Sequence, residues 1–312
     1  MKAVRIHRFG PPGVVEIEEI PVPSPGKGEV LVRVIAAGVA PWDAIIREGQ
    51  SKVSPQPPLT LGSDLSGIIE SIGLDVTGFA VGDNIYGVTN PQFCGAQAEY
   101  AVAQAAMIAP KPRKLNYREA ASAPVVAVTA WQMLFEYAQA KSGDTVIITG
   151  AAGNVGAYAV QLAVHNGIRV VAVARPRDEA FLRTLGVENI GDSNLATFEA
   201  ALPQVDAVLD LVGGSTVQHI VEAIKPGGKL VSVVSQQPTP HRNDIQSMFF
   251  YAEVTTQRLR TLTDLFERGI LSPQVGSVLP ISQARRAHEM LAGAPHAKGK
   301  IVLDVATESN GR

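Results

Sequence analysis

Thr145–Gly156 reads TVIITGAAGNVG, and this stretch decides the fold of the region around it. The β-branched run Val146–Thr149 leads directly into a turn containing Gly150, Gly153 and Gly156, and an apolar segment with helical spacing follows. The pattern predicts a strand, a glycine turn and the start of a helix. Such a turn lets the backbone approach a diphosphate, and the N–H groups and positive dipole end of the helix favour the anion. The spacing is GxxGxxG rather than the GxGxxG of dinucleotide-binding turns, so this pattern alone is weak evidence for a dinucleotide site and must be judged with the surrounding sequence.

Composition narrows the class of protein. The chain has 312 residues, of which 46% are hydrophobic, and this length predicts two domains. The net charge of -2 and the spread of Lys and Arg along the chain favour a small-molecule partner over nucleic acid or a membrane surface. A single cysteine, Cys94, excludes an intramolecular disulfide. With no signal-peptide core in MKAVRIHRFG and no long apolar run, we expect a soluble, cytoplasmic protein.

The two parts of the chain differ in periodicity. The first ~120 residues alternate polar and apolar residues between Pro and Gly, which predicts a β-rich domain with one helix over Trp42–Glu48. After Tyr117 the apolar residues take helical spacing. Beyond the glycine turn, apolar strands such as RVVAVA, VDAVLDLVG and GGKLVSVVS alternate with helices, and QSMFFYAEV adds a further strand. This alternation predicts an α/β fold with a doubly wound parallel sheet.

Several local patterns together resemble the medium-chain dehydrogenase/reductase superfamily, specifically its zinc-free quinone oxidoreductase (zeta-crystallin-like) branch. The resemblance covers nearly the whole chain and is carried by AAGVAPWD at 36–43, LGSDLSGIIESIG at 61–73, VGDNIYG at 81–87, GAQAEYAV at 95–102, VTAW at 128–131, TGAAGNVG at 149–156, LDLVGG at 209–214 and KGKIVL at 298–303. It implies a GroES-like β-barrel catalytic domain made of residues 1–119 and 254–312, and a Rossmann NADP-binding domain over residues 120–253.

The same resemblance bears on metals. The positions where zinc-dependent members carry a Cys and a His ligand match Val39 or its neighbours and Ser63 here. Neither residue type binds zinc well, and the six His residues are scattered without ligand spacing. We therefore expect no metal site.

The cofactor prediction rests on two arginines. A fold of this kind that uses NAD places Asp or Glu at the end of its second strand, about 20 residues after the glycines. Here Arg175 and Arg177 follow that strand, and a 2′-phosphate is a natural partner for a guanidinium. We infer NADPH. The alternative is that both arginines belong to an ordinary solvated loop, beside Asp178 and Glu179.

The remaining cofactor contacts follow from the resemblance and from the end positions of parallel strands. For Thr129 and for each strand-end position, packing within the fold is an alternative reading. The predicted cofactor-binding residues are Thr129, Gly150, Ala151, Ala152, Gly153, Asn154, Val155, Gly156, Arg175, Arg177, Val212, Gly213, Val234, Phe249 and Tyr251.

Without a metal, the favoured chemistry is hydride delivery to an acceptor that takes it readily, such as a quinone or an enone. The candidate proton donors or orienting groups are Tyr86, Asp43 and Asp64; the alternative is that they fix loops or pack in the barrel. Ala40, Trp42 and Ile45 are the candidate substrate-pocket residues. Family members often carry Asn and Tyr in this region, so we expect a more apolar pocket and a bulkier acceptor.

The sequence thus predicts an NADPH-dependent quinone or enone reductase. Two alternatives stay open: an enoyl-thioester reductase, and a protein that binds or senses NADPH without turnover. The apolar segment QSMFFYAEV would form a sheet edge, and members of this branch commonly pair there, so we expect a homodimer.

Overall fold

A computed structural model describes residues 1–192, 202–234 and 242–306. The chain divides into two compact units, Met1–Val125 with Val254–Arg312 and Val126–Glu253. None of the helices among the described residues is long and apolar enough to cross a membrane.

The first unit is rich in strands, as the alternating sequence predicts. Its strands among the described residues are β1 (Lys2–Ile6), β2 (Glu16–Glu19), β3 (Glu29–Val39), β4 (Leu59–Thr60), β5 (Asp64–Ile72), β6 (Asn84–Val88), β7 (Tyr100–Gln104), β8 (Ile108–Pro110), β15 (Val275–Pro280) and β16 (Lys300–Asp304). The larger sheet has the order β15-β16-β3-β5-β6-β8, and β7 also pairs with β3; β2-β1-β4 form a smaller sheet. The long strand β3 therefore joins segments from both ends of the chain.

Valine, isoleucine and leucine side chains of these strands fill one core, which includes Val32, Leu65 and Ile301, each nearly inaccessible to solvent. Burying side chains of this size stabilises the unit by roughly 1.5–3 kcal/mol each before entropy is counted. The helices of this unit are Pro41–Arg47, Tyr117–Ala121, Thr256–Glu267 and Ala284–Leu291. The first begins one residue before the predicted Trp42, because Pro41 suits the first helical position.

The second unit is a parallel sheet in the order β11-β10-β9-β12-β13-β14 among the described residues. Its strands are β9 (Thr145–Thr149), β10 (Arg169–Ala174), β11 (Asn189–Asp192), β12 (Val205–Asp210), β13 (Ile224–Ser232) and β14 (Gln246–Phe249). Every neighbouring pair is parallel. The helices Asn154–His165, Glu179–Thr184 and Gly214–Ile220 connect strands, and the predicted doubly wound α/β sheet is confirmed.

The helical region after Tyr117 is not one continuous helix. A helix ends at Ala121, a second runs over Pro124–Trp131, and a π-helical segment follows over Gln132–Tyr137. Pro124 explains the first break, because proline lacks an N–H and disfavours helical backbone in the residue before it. Periodicity alone does not reveal this interruption.

Candidate functional site

The glycine turn between β9 and the helix Asn154–His165 is tightly packed. Gly150 has a φ of +60°, which lies in the left-handed region that favours glycine. A Cβ on Gly156 would lie 2.3 Å from the Gly150 carbonyl oxygen and 2.7 Å from Cα of Ala151. Only glycine at position 156 lets the helix begin this close to the turn.

The start of this helix suits an anion. No side chain caps it in the described structure, and its first turn contains no acidic residue. Ala151 and Ala152 are buried residues of the turn itself, and Asn154 and Val155 begin the helix. Uncapped N–H groups and the helix dipole fit a diphosphate, and small residues leave room for it.

Arg175 and Arg177 follow directly after β10, the parallel neighbour of β9, so they lie at the same edge of the sheet as the glycine turn. Both side chains are exposed. Within residues 1–192, 202–234 and 242–306, neither guanidinium forms an ion pair, and Glu179 pairs instead with Arg183 at 3.0 Å. The two arginines are therefore free to meet an anionic ligand.

The other strands of the sheet bring further predicted residues to this carboxyl edge. β12 ends at Asp210, β13 at Ser232 and β14 at Phe249, so Val212, Gly213, Val234 and Tyr251 all follow strand ends there. Val212 is 55% exposed and Tyr251 68%. Thr129 lies within the helix Pro124–Trp131 and is buried.

Asp210, which the sequence pattern did not single out, lies at this same carboxyl edge as the last residue of β12. Its buried carboxylate accepts hydrogen bonds from Thr149, Gly213 and Ser232 at 2.8–3.1 Å. The available signal was its position as the last residue of an apolar strand, in the LDLVGG pattern.

In the first unit, Asp43 is a buried acid. Its Oδ2 accepts from the backbone N–H of Ala40 at 2.8 Å, while Oδ1 has no hydrogen-bond partner among the described residues. Burial raises the pKa of Asp43 to about 7, and Asp64 adds to this, whereas Lys300 and Arg47 oppose it. A carboxyl group with this pKa exchanges a proton near neutral pH.

Asp64 is held by its neighbours. Its Oδ2 lies 2.8 Å from Nζ of Lys300, and its Oδ1 accepts from the N–H of Val125 at 3.2 Å. The ammonium group also lies 4.3 Å from the ring centroid of Trp42, whose indole N–H donates to Ser63 at 2.9 Å. Burial raises the pKa of Asp64, and Lys300 opposes this rise. Lys300 was missed in the sequence, although it lies in the KGKIVL pattern.

Tyr86, on β6, makes its hydrogen bonds to the helix Thr256–Glu267. Its buried hydroxyl donates to the carbonyl oxygen of Leu259 at 2.8 Å and lies 3.1 Å from the hydroxyl of Thr263. Burial raises the pKa of Tyr86 well above its usual value. These contacts attach β6 to the helix Thr256–Glu267.

The helix that carries Asp43 ends in a buried polar contact. Arg47 is inaccessible to solvent, and its Nη1 lies 3.0 Å from Nδ1 of His288, while its Nε donates to the carbonyl oxygen of Gly10. Burial, with Arg47 adding to it, lowers the pKa of His288 to about 3. His288 is thus neutral, and these contacts fix the helix Pro41–Arg47.

The candidate pocket residues at the start of this helix and along it differ in exposure. Ala40 is buried, Trp42 is half-buried and Ile45 is 44% exposed. At the two positions matched to zinc ligands, Val39 is a buried strand residue and the Ser63 hydroxyl accepts from Trp42.

Two family models match the chain. One, described as an alcohol dehydrogenase GroES-like domain, covers residues 26–113, and the other, described as a zinc-binding dehydrogenase, covers residues 185–303. The solved quinone oxidoreductase from Coxiella burnetii is 33% identical, with a TM-score of 0.88 over 98% of this chain and 99% of that one. A mycobacterial protein solved as a complex with NADPH, Rv1454c, is 27% identical, with a TM-score of 0.86 over 98% and 100% of the two chains. The quinone oxidoreductase of Mus musculus is 28% identical over 97% of each chain.

A GroES-like domain joined to a Rossmann sheet defines a nicotinamide-dependent oxidoreductase of the medium-chain dehydrogenase/reductase class, and the expected fold class is confirmed. Within that class, the chain belongs to the zeta-crystallin-like quinone oxidoreductase family.

Proposed function

We propose that this chain is an NADPH-dependent oxidoreductase that transfers a hydride to a quinone or to the activated C=C bond of an enone, without zinc. One observation carries the proposal: Arg175 and Arg177 follow the strand beside the glycine turn, and neither is ion-paired within the described parts of the chain. A carboxylate at this place would favour the 2′-hydroxyl of NAD, whereas guanidinium groups favour a 2′-phosphate.

The second unit offers the groups that would hold the cofactor. The glycine turn and the uncapped helix start at Asn154 would bind the diphosphate, and Arg175 with Arg177 would bind the 2′-phosphate. Thr129, Val212, Gly213, Val234, Phe249 and Tyr251 remain candidates for the nicotinamide half. When bound, NADPH supplies the hydride.

A zinc-free reaction is supported by side-chain chemistry at the two matched ligand positions. Val39 has no donor atom, and the hydroxyl of Ser63 already accepts from the indole of Trp42. A site of this composition lacks the Cys and His ligands that zinc enzymes use. An acceptor that needs no Lewis acid fits best, which favours quinones and enones.

Of the three candidate proton donors, Asp43 fits best. Its pKa of about 7 keeps much of it protonated at neutral pH, and its Oδ1 has no partner among the described residues. Asp64 is paired with Lys300, and the Tyr86 hydroxyl is bound to Leu259. We expect Asp43→Asn to remove a titration near pH 7 from the kcat profile.

The acceptor we propose is bulky and apolar. Ala40 and Ile45 replace the polar residues that often occur in this region of the family, and Ile45 presents an exposed apolar side chain. An apolar surface gains affinity from each apolar group that it removes from water.

Steady-state oxidation of NADPH against a panel of quinones, enones and enoyl thioesters tests the proposal. We expect turnover with bulky quinones or enones and less with small polar quinones. A preference for enoyl thioesters would favour the enoyl-thioester reductase instead. NADPH binding without consumption by any acceptor would favour a sensor, and strict preference for small polar quinones would refute the apolar pocket.

The chain is also proposed to form a homodimer. β14 is the last strand in the sheet order among the described residues, so its outer edge carries backbone groups that a second copy could pair. A monomeric mass in solution at micromolar concentration would contradict this.

A further inference from the structure

We propose that Asp210 is the positioning residue of the cofactor site, because its carboxylate fixes the loop after β12 against the glycine turn and the end of β13. The proposal deepens the proposed function, since it rests on NADPH binding at the carboxyl edge of the sheet. It concerns cofactor affinity, and it assigns Asp210 no contact with the reacting atoms.

The carboxylate of Asp210 is inaccessible to solvent and accepts four hydrogen bonds. Its Oδ1 accepts from the hydroxyl of Thr149 at 3.1 Å and from the backbone N–H groups of Val212 at 3.2 Å and Gly213 at 2.8 Å. Its Oδ2 accepts from the hydroxyl of Ser232 at 2.8 Å. Thr149 ends β9 and Ser232 ends β13, so one side chain ties three neighbouring strand ends together.

The donor set favours a carboxylate. A carboxylate has two acceptor oxygens and no hydrogen of its own, which matches four converging donors. An amide of the same shape keeps one oxygen for the three donors on Oδ1, but its NH₂ group reverses the bond to the Ser232 hydroxyl, and the negative charge that strengthens all four bonds is lost. Hydrogen bonds to a charged acceptor are also the stronger kind, and together they offset the cost of burying the charge.

The network determines what the loop presents. The N–H of Leu211 donates to the hydroxyl of Thr149 at 2.8 Å, so the N–H groups of three successive loop residues, 211–213, all point into the network. Gly213 takes a φ of +73°, which glycine alone adopts at little cost. The loop backbone is thereby fixed, and the exposed group that it presents is the side chain of Val212.

This loop lies against the positions proposed for the cofactor. A Cβ on Gly150 would lie 3.0 Å from Cγ2 of Val212, so the loop packs on the glycine turn. A Cβ on Gly213 would lie 3.3 Å from Cγ2 of Val234, whose N–H donates to Ser232 at 3.2 Å. Four proposed cofactor positions, Gly150, Val212, Gly213 and Val234, are therefore held in place through the Asp210 carboxylate. Weakening its hydrogen bonds would leave all four less ordered before NADPH binds, and the ordering would then reduce the affinity.

The test compares Asp210→Asn with Asp206→Asn. Asp206 lies on the same strand at the opposite edge of the sheet, where it accepts from the N–H of Thr145 at 2.8 Å and from Nζ of Lys225 at 2.6 Å. Hydrogen exchange of the 211–213 amides in the protein without cofactor measures how firmly the loop is held. The Kd and KM for NADPH measure cofactor binding, and the kcat at saturating NADPH measures the reaction itself.

We expect Asp210→Asn to accelerate exchange at 211–213, to raise Kd and KM for NADPH by about tenfold or more, and to leave kcat nearly unchanged. Asp206→Asn should change neither the loop exchange nor the Kd. An unchanged Kd in Asp210→Asn, or an equal rise in Asp206→Asn, would overturn the proposal.

Two outcomes need separate readouts. If Asp210→Asn fails to fold, Ser232→Ala removes one donor to the carboxylate together with the acceptor for the N–H of Val234. We expect a smaller rise in Kd, with faster exchange at 211–213, and no change in either would overturn the proposal. If the unaltered protein binds no NADPH, the proposed function fails, while the exchange comparison still decides whether Asp210 fixes the loop.

Discussion

Replacing Gly156 by alanine tests the glycine turn most sharply. The added Cβ would lie 2.3 Å from the carbonyl oxygen of Gly150 and 2.7 Å from Cα of Ala151, against an ordinary contact of at least 3.4 Å. The helix start must therefore move by about 1 Å, because the atoms it meets are backbone and have no rotamer to change.

Two opposing energies set the result. Alanine is favoured over glycine within a helix by about 1 kcal/mol, whereas overpacking of this kind costs about 1–3 kcal/mol. Because the overlap is with backbone atoms, the overpacking cost of Gly156→Ala should lie toward the upper end of that range. We therefore expect the free energy of unfolding to fall by about 1–2 kcal/mol in total. A shift of about 1 Å also breaks hydrogen bonds from the helix start to a diphosphate, so the Kd for NADPH should rise about tenfold or more.

The assay is NADPH titration together with thermal unfolding of the same samples. Gly153→Ala is the matched control within the turn, because its Cβ would lie 3.2 Å from the Gly150 oxygen and needs a much smaller adjustment. Gly13→Ala, whose Cβ meets open space, should be neutral. Unchanged affinity and unchanged melting in Gly156→Ala would refute the reasoning.

Three further predictions concern the first unit. Because the folded pKa of Asp43 is about 7 and the unfolded value about 4, the folded state holds a proton that the unfolded state has lost, and stability falls as the pH rises between these values. Asp43→Asn keeps an acceptor for the N–H of Ala40 but has no proton to lose, so its free energy of unfolding should not show this decrease, which is at most about 4 kcal/mol. Urea unfolding of both proteins at a series of pH values measures the difference, and the same pH dependence in both would contradict the prediction. His288 gives the opposite pH dependence. Because its folded pKa is about 3, the unfolded chain binds a proton below about pH 6.5 that the folded protein does not, and up to about 5 kcal/mol of stability is lost as the pH falls. The stability of His288→Gln should therefore fall less in acid than that of the unaltered protein. Tyr86→Phe removes the bond to Leu259 and should cost about 1 kcal/mol of stability without changing the pH profile of kcat, whereas a lost titration would make Tyr86 the proton donor.

Local pattern was enough to predict the strands and the glycine turn. The run from Val146 to Thr149 and the glycines after it carry their own conformational preferences, so β9 and the helix after it lie where the sequence predicts them. The continuous apolar strands likewise indicated a buried parallel sheet, which is confirmed. By contrast, the break before Pro124 interrupts a region whose apolar spacing looks helical throughout.

The polar contacts were harder to predict because they join distant positions. Asp210 meets Thr149 from 61 residues away, and Lys300 meets Asp64 from 236 residues away. No periodicity links such pairs, and only the assembled sheets bring them together. The catalytic and cofactor residues named from the sequence stay predictions, although the structure places Asp43, Trp42 and Asp64 around one lysine.

The most direct measurement is kcat/KM for NADPH and for NADH with one quinone acceptor, in the unaltered protein and in the Arg175→Gln, Arg177→Gln double variant. We expect the unaltered protein to prefer NADPH by about tenfold or more, and the double variant to lose this preference while keeping its activity with NADH. A preference for NADH in the unaltered protein, or no oxidation of either cofactor with any acceptor, would contradict the proposed NADPH-dependent hydride transfer.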